Sequence, residues 1–334
     1  MSRIFTHGTG AVSPAGWGVA ALRDALDKNV PLPVQNLARP GWEKALSVRP
    51  VPPPPTRPVF LSHARLRRAS AMTQHTVAAA LEALGADAKR VQTGELRLGI
   101  IVCMMAGGVT YSRRFYEEVL ADPATASPLI FPETVYNAPA SHLGAYLNSP
   151  TTNYTLVGDA GTFLQGLALA AEWLENGQAD GCLVVGVEEM DWIVADAIRL
   201  FRRATIYAAG AGAVYLKKNQ PATVELAVIT DSFTYTKEQS RSSAAKLMES
   251  QLPAVGMNEL LCVSDDNTFV RVGWPGQMLT PKAIVGEAFL ASAAWQCVAA
   301  CDGLSLGKFT AANVRIVGAN QQAVGARFER NEIL

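Results

Sequence analysis

Residues able to do covalent or acid–base chemistry are few in this chain and far apart in sequence. The four histidines, His7, His63, His75 and His142, show no metal-ligand spacing, and the five cysteines include no CxxC pair. The sharpest chemical shape is the turn Gly158-Asp159-Ala160-Gly161-Thr162, set between an apolar β-run and a helical one. In α/β proteins such a strand-to-helix turn lies at the carboxyl end of a sheet, where sites form. The Thr162 hydroxyl needs a base before it can attack anything. His142 is the histidine able to approach that turn, although a histidine among small helical residues reads first as satisfied by local packing. Cys103 ends an apolar run and reads first as a buried strand thiol. Lys282 and Glu287 have the spacing of an ion pair. Glu188, Glu189 and Asp191 follow an apolar run and read as a solvated loop end.

The elements that must position these groups come from periodicity and punctuation. Around the turn, residues 154–157 form a short strand. Residues 163–176 have helical spacing, with Asp159 or Thr162 as cap, and Gly177 closes that helix as a C′ glycine. Residues 182–187 read as a buried strand. Upstream, the pattern gives a strand at 4–12, a helix at 19–26, a proline-rich surface excursion at 29–58, a helix at 69–84, a strand at 98–104, a helix near 111–120, and a loop then helix at 131–147. Downstream, residues 199–209 read as irregular and 210–216 as a strand. Asn219-Gln220-Pro221 is the best boundary, dividing the chain into 1–219 and 220–334. The second part reads as one long strand at 223–235, a helix at 237–252, a strand at 260–263, a polar loop at 264–281, one alanine-rich helix at 283–304, and closing strands at 313–317 and 323–328. Alternating strands and helices predict a layered α/β fold.

Composition removes several classes. Lys plus Arg equals Asp plus Glu at 29 each, which argues against nucleic acid or an anionic membrane as the main partner. The local basic clusters, Arg65, Arg67 and Arg68, then Arg202 and Arg203, read as solvated surface. No apolar run reaches the roughly 18–20 residues of a membrane span, and the N-terminal residues lack a signal-peptide pattern. An odd cysteine count without pairs fits a reducing, cytoplasmic setting.

Several segments in order resemble the β-ketoacyl-(acyl carrier protein) synthases of the thiolase superfamily. THGTGAVSPAG at 6–16 is similar to the family's opening TGxGxVSPxG, and NAPASH at 137–142 to its NxxA helix. The stretch 153–189 resembles the nucleophile elbow with its following helix and strand, ending in Gly186-Val187-Glu188. GAGAVYL at 210–216 resembles EGAGxLVLE, and KAIVGE at 282–287 resembles KSxxGH. The likeness covers nearly the whole chain and weakens in a shortened second half. It implies a thiolase-like α/β fold, two pseudo-symmetric βαβαβαββ halves in a five-layer αβαβα arrangement.

The resemblance also implies a cysteine at the elbow, two histidines and a supporting lysine. This chain departs from that set. Gly161 stands at the cysteine, Glu287 at the second histidine, and Ser264, beside Asp265, nearest the first; Lys282 alone is kept. The Gly-rich loop whose backbone helps form the oxyanion hole becomes Val317-Gly-Ala-Asn-Gln-Gln322. Glycine cannot capture an acyl chain, so the family expectation is a catalytically silent subunit of the chain-length-factor type, with no cofactor. It would pair with an active ketosynthase and meet acyl carrier protein through the complex, in type II polyketide or fatty-acid-like synthesis; aryl polyenes are one setting. The resemblance places the dimer strand at Thr152, Asn153, Tyr154, Thr155, Leu156 and Val157. It places tunnel or pocket walls at Phe115, Phe131, Tyr136 and Phe163, with Tyr116 nearby. Two other readings stay open: an acyltransferase or condensing enzyme with a relocated nucleophile, Cys103 or Thr162 with His142, and a homodimeric scaffold binding acyl chains or carrier protein.

Overall fold

The computed structural model describes residues 2–150, 152–253, 256–264 and 274–331. Strands β1 (Ile4–Ser13), β2 (Leu98–Met104), β3 (Asn153–Val157), β4 (Gly181–Glu188) and β5 (Gly210–Lys218) come from the first part of the chain. They lie in the order β3-β2-β4-β5-β1, with β5 antiparallel to both neighbours. The second part supplies β6 (Val224–Ile229), β7 (Glu259–Val263), β8 (Gln277–Leu279), β9 (Ala311–Val317) and β10 (Gln322–Arg330). Their order, β8-β7-β9-β10-β6, repeats the first with the same strand directions. The expected pseudo-symmetric halves are therefore visible in the topology, and β1 and β6 join them by a short antiparallel pairing at Phe5 and Thr6.

Among the described residues, the helices that bear on the layers and the site are α1 (Val19–Lys28), α2 (Ala71–Leu84), α3 (Val109–Ala121), α4 (Ala138–Tyr146), α5 (Thr162–Glu175), α6 (Trp192–Phe201), α7 (Arg241–Ser250), α8 (Pro281–Val285) and α9 (Phe289–Ser305). Helix α2 covers the outside of the first half-sheet and α7 the outside of the second, while α5 and α9 lie between the two and touch both. The apolar run of α9 is buried all round, as a helix between two sheets must be. At Gly186 an added Cβ would lie 2.3 Å from the Leu290 carbonyl oxygen, so this glycine lets α9 rest directly on β4. All five cysteines are buried and free. Among the described residues, no helix is long and apolar enough to cross a membrane.

Four expectations need correction. The single helix over 283–304 is two, α8 and α9, because Gly286 takes φ 100° and Glu287 pairs with the short strand Tyr207–Ala208. The single strand over 223–235 breaks at Thr230, whose hydroxyl and amide both bond Gly325; pairing resumes only at Phe233–Thr234. Residues 199–209 are not all irregular, since α6 runs to Phe201. The proline-rich excursion is not wholly superficial. Its Leu46–Arg49 strand is mostly buried and pairs with Gln35–Leu37 and Tyr207–Ala208 in a separate three-stranded sheet.

Candidate active-site remnant

The elbow is present as architecture. Strand β3 runs through Gly158–Gly161 into α5, whose N-cap is Gly161 at φ −63° with no side-chain cap. Neither Asp159 nor Thr162 caps the helix in the expected way. Asp159 instead turns its fully buried carboxylate onto three backbone amides: Gly161 N–H at 3.2 Å, Asn320 N–H at 3.3 Å and Gln321 N–H at 2.9 Å.

The space above Gly161 is taken. A Cβ at this position would lie 2.9 Å from Gln322 Cγ, 3.3 Å from its Nε2 and 3.3 Å from Val324 Cγ2. Gln322 is buried and held by a reciprocal amide pair with Gln165, 3.0 Å in each direction. Its Oε1 also accepts from Ser232 Oγ, and its Nε2 donates to Thr162 Oγ1 at 3.4 Å. The break in the second-half strand at Thr230 is what brings Ser232 to this network. The Thr162 hydroxyl therefore faces a carboxamide, which is no base. Gln322 had no role in the sequence reading; a glutamine pair flanking the loop was the only signal.

The other positions that the resemblance marks meet elsewhere. Ser264, Lys282 and Glu287 line a cleft of about 630 Å3 with Arg49, Arg202, Arg203 and Arg241. Lys282 Nζ donates to Glu287 Oε2 at 2.6 Å, and Glu287 Oε1 accepts from Phe289 N–H at 2.9 Å. The expected ion pair is thus formed and nearly buried. Ser264 Oγ is committed to the Val317 amide at 2.9 Å. Asp265 lies outside the described residues. Arg202 and Arg203 face this cleft rather than open solvent alone, whereas Arg65, Arg67 and Arg68 are exposed.

The candidate replacements are not assembled into a site. Cys103 is fully buried, its sulfur 2.8 Å from where a Gly166 Cβ would sit, and burial pushes its thiol well above the ordinary range. His142 Nε2 bonds Glu133 Oε1 at 2.6 Å, and that carboxylate also takes the Ser70 amide. Glu188, Glu189 and Asp191 are not a solvated loop end but are buried. Glu188 accepts from the Met105 and Ala106 amides at 2.7 and 3.2 Å, and burial pushes its carboxyl up to about 8. Glu189 accepts from the Thr110 amide at 3.0 Å and rises to about 7, chiefly by burial and further by the charge of Asp191. Asp191 caps α6 through Ile193 N–H and pairs with Arg113 at 3.2 Å. An acid just before the apolar helical run 192–201 was the overlooked cap signal.

Of the residues expected at the dimer strand, Asn153 to Val157 form β3, the outermost strand of the first half-sheet, with Tyr154 48% and Val157 53% exposed. Thr152 leads into it and accepts from the Ile100 amide. Phe163 is wholly buried in the core between the sheets. Phe115 stacks on Phe131 with centroids 5.6 Å apart, while Phe131, Tyr136 and Tyr116 remain largely exposed.

Comparison with known proteins agrees with the fold. The model of the family described as 3-oxoacyl-[acyl-carrier-protein (ACP)] synthase III matches residues 157–232, the elbow, α5, β4 and β5. The ishigamide ketosynthase/chain length factor superposes with a TM-score of 0.77 at 16% identity, covering 98% of this chain and 99% of that one. The chain has the thiolase-type fold of the ketosynthases. A β-ketoacyl synthase from Burkholderia phymatum gives 0.77 at 16% identity over 99% of this chain and 100% of that chain. The apo AntDE:AntF assembly, a type II PKS acyl-carrier protein in complex with its ketosynthase bound to the hexaketide, gives 0.74 at 17% identity over 99% of both chains. No curated protein sequence matches this chain.

Proposed function

We propose that this protein is a non-catalytic ketosynthase-like subunit of the chain-length-factor type. It pairs with an active ketosynthase and shapes the acyl tunnel in type II polyketide or fatty-acid-like synthesis, with aryl polyenes as one setting. The observation that carries the reading is Gln322, whose side chain fills the space a nucleophile at 161 would need. The Lys282–Glu287 pair adds to it, because a carboxylate tied to lysine cannot donate the hydrogen bond an enolate requires. Pairing is assigned to the edge strand β3, whose outer side pairs with no strand among the described residues. Phe115, Phe131 and Tyr136 would face the tunnel or the partner, and Phe163 would support the wall from within. Acyl carrier protein is engaged through the complex, and the setting is cytoplasmic.

Co-expression with a ketosynthase encoded nearby tests this. A stable heterodimer is expected, and incubation of the isolated chain with acyl or malonyl carrier thioesters should leave its intact mass unchanged. Val157→Asp puts a charge on the exposed edge and should weaken the heterodimer by at least about 30-fold while leaving the fold intact. A monodisperse homodimer indifferent to any ketosynthase, or an acylated mass, ends the proposal.

A further inference from the structure

The two segments that meet at Asp159 come from opposite halves of the molecule. Gly161 gives the amide at the start of the 14-residue helix α5, and Asn320 and Gln321 give theirs from the turn between β9 and β10. Convergent N–H groups at a helix N-terminus form an anion site, and in acyl-transfer chemistry such a site steadies an oxyanion. Here the anion is the protein's own. Asp159 Oδ1 takes the Gly161 amide, and Oδ2 takes the Asn320 and Gln321 amides. The Asp159 amide in turn donates to Gln321 Oε1 at 3.0 Å, so backbone and side chain grip the same turn. Gly318 makes room for this: a Cβ there would lie 2.1 Å from Asp159 Oδ2. A fully buried carboxylate is costly unless hydrogen-bonded, and these three bonds are what keep it in place.

We infer that the oxyanion-type amide nest survives in this chain but is closed from within by the Asp159 carboxylate. The inference deepens the silent-subunit reading and rests on it for the meaning of the nest, not for its geometry. The elbow is then shut in two separate ways, by Gln322 over the tip and by Asp159 in the nest. Once Asp159 is truncated, the nest becomes a site for a small carboxylate.

The test is chemical rescue of Asp159→Ala in the full chain, with sodium formate as the probe and sodium chloride at matched ionic strength as the control. The variant should melt below the wild type. Formate at several times its Kd should raise its Tm by about 2–4 °C beyond chloride, while wild type and Asp159→Asn show no such rise. A folded Asp159→Ala that ignores formate, or a wild type stabilised equally by it, overturns the inference. Where the alanine variant does not fold, Asp159→Asn decides. Hydrogen exchange at Gly161, Asn320 and Gln321 should quicken together by at least about tenfold, and unchanged exchange at all three overturns the inference. Ketosynthase capture by the same samples is read separately. Formate rescue without capture supports the anion site and removes the proposed function; capture without rescue does the reverse.

Discussion

The two halves of the molecule share one strand order but differ at the ends of their fourth strands. In the first half β4 ends in Glu188, a buried carboxylate that reaches the amides just beyond β2. In the second half β9 ends in Val317, whose amide is met by the Ser264 hydroxyl just beyond β7. The junction between second and fourth strands is thus tied by an acid from the fourth strand in one half and by a hydroxyl following the second strand in the other. The central helices are also treated unequally. Gly186 lets α9 press on β4, and Gly166 lets α5 approach the same half-sheet, since a Cβ added there would lie 2.8 Å from Cys103 Sγ and 3.0 Å from Val184 Cγ1. The first half is the tighter platform, and the second half contributes the residues that close the elbow: Gln322, Ser232, and the amides of Asn320 and Gln321. In the proposed reading, the silence of the elbow is a property of how the halves meet.

The largest test of this contrast is Gly186→Ala. Its Cβ would meet a backbone carbonyl oxygen at 2.3 Å, which no rotamer change relieves, so α9 must move off the first half-sheet. A loss of about 3 kcal/mol in unfolding free energy is expected by denaturant titration. Gly161→Ala is milder, because its backbone is already helical and the clash is with a side chain. It should cost about 1–2 kcal/mol, and Gln322→Ala should relieve most of that in a double-mutant cycle. Strict additivity of the two would mean that Gln322 does not fill the elbow.

Most of the fold was legible because its signals are local. The apolar runs at β2, β4 and β5, the Gly177 cap and the small-residue turn at Gly158 each act within a few residues, and their order was enough to predict a layered α/β fold; the pseudo-symmetric halves were implied by the resemblance. What stayed hidden depends on distant partners. The 283–304 run is helical by composition; only its contact with 206–208 breaks it. Glu188 looked solvated because the amides that bury it lie 83 and 82 residues earlier. Asp159 looked like a cap because the turn it binds lies 162 residues later. That Gly161, Ser264 and Glu287 stand where the resemblance expects a cysteine and histidines was readable from residue type alone, but what fills the space at Gly161 was not.

The carboxylates of the first half predict a pH slope. Burial raises Glu188 to about 8 and Glu189 to about 7 from an ordinary 4.5. The unfolded chain therefore binds fewer protons than the folded one between these values. The stability they contribute is complete below pH 4.5 and is lost as pH rises through 7 to 8. A fall of about 2 kcal/mol from pH 6 to pH 7 is expected, and Glu189→Gln should flatten part of it. A stability that is level across this range would show that the acids are ionised and solvated, as the sequence alone suggested.

The smallest effect belongs to the matching junction in the second half. Ser264→Ala removes one acceptor from the Val317 amide, a single neutral hydrogen bond at 2.9 Å. The loss should be about 1 kcal/mol, and it should be the same at pH 5 and pH 8 because no titratable group is involved. Glu188→Gln should instead cost little at pH 5, where the native acid is protonated, and gain relative to wild type as pH rises. Chemical denaturation of both variants at both pH values separates the two ends. If Ser264→Ala shows the pH dependence and Glu188→Gln does not, the assignment of a titrating tie to the first junction and a neutral one to the second fails.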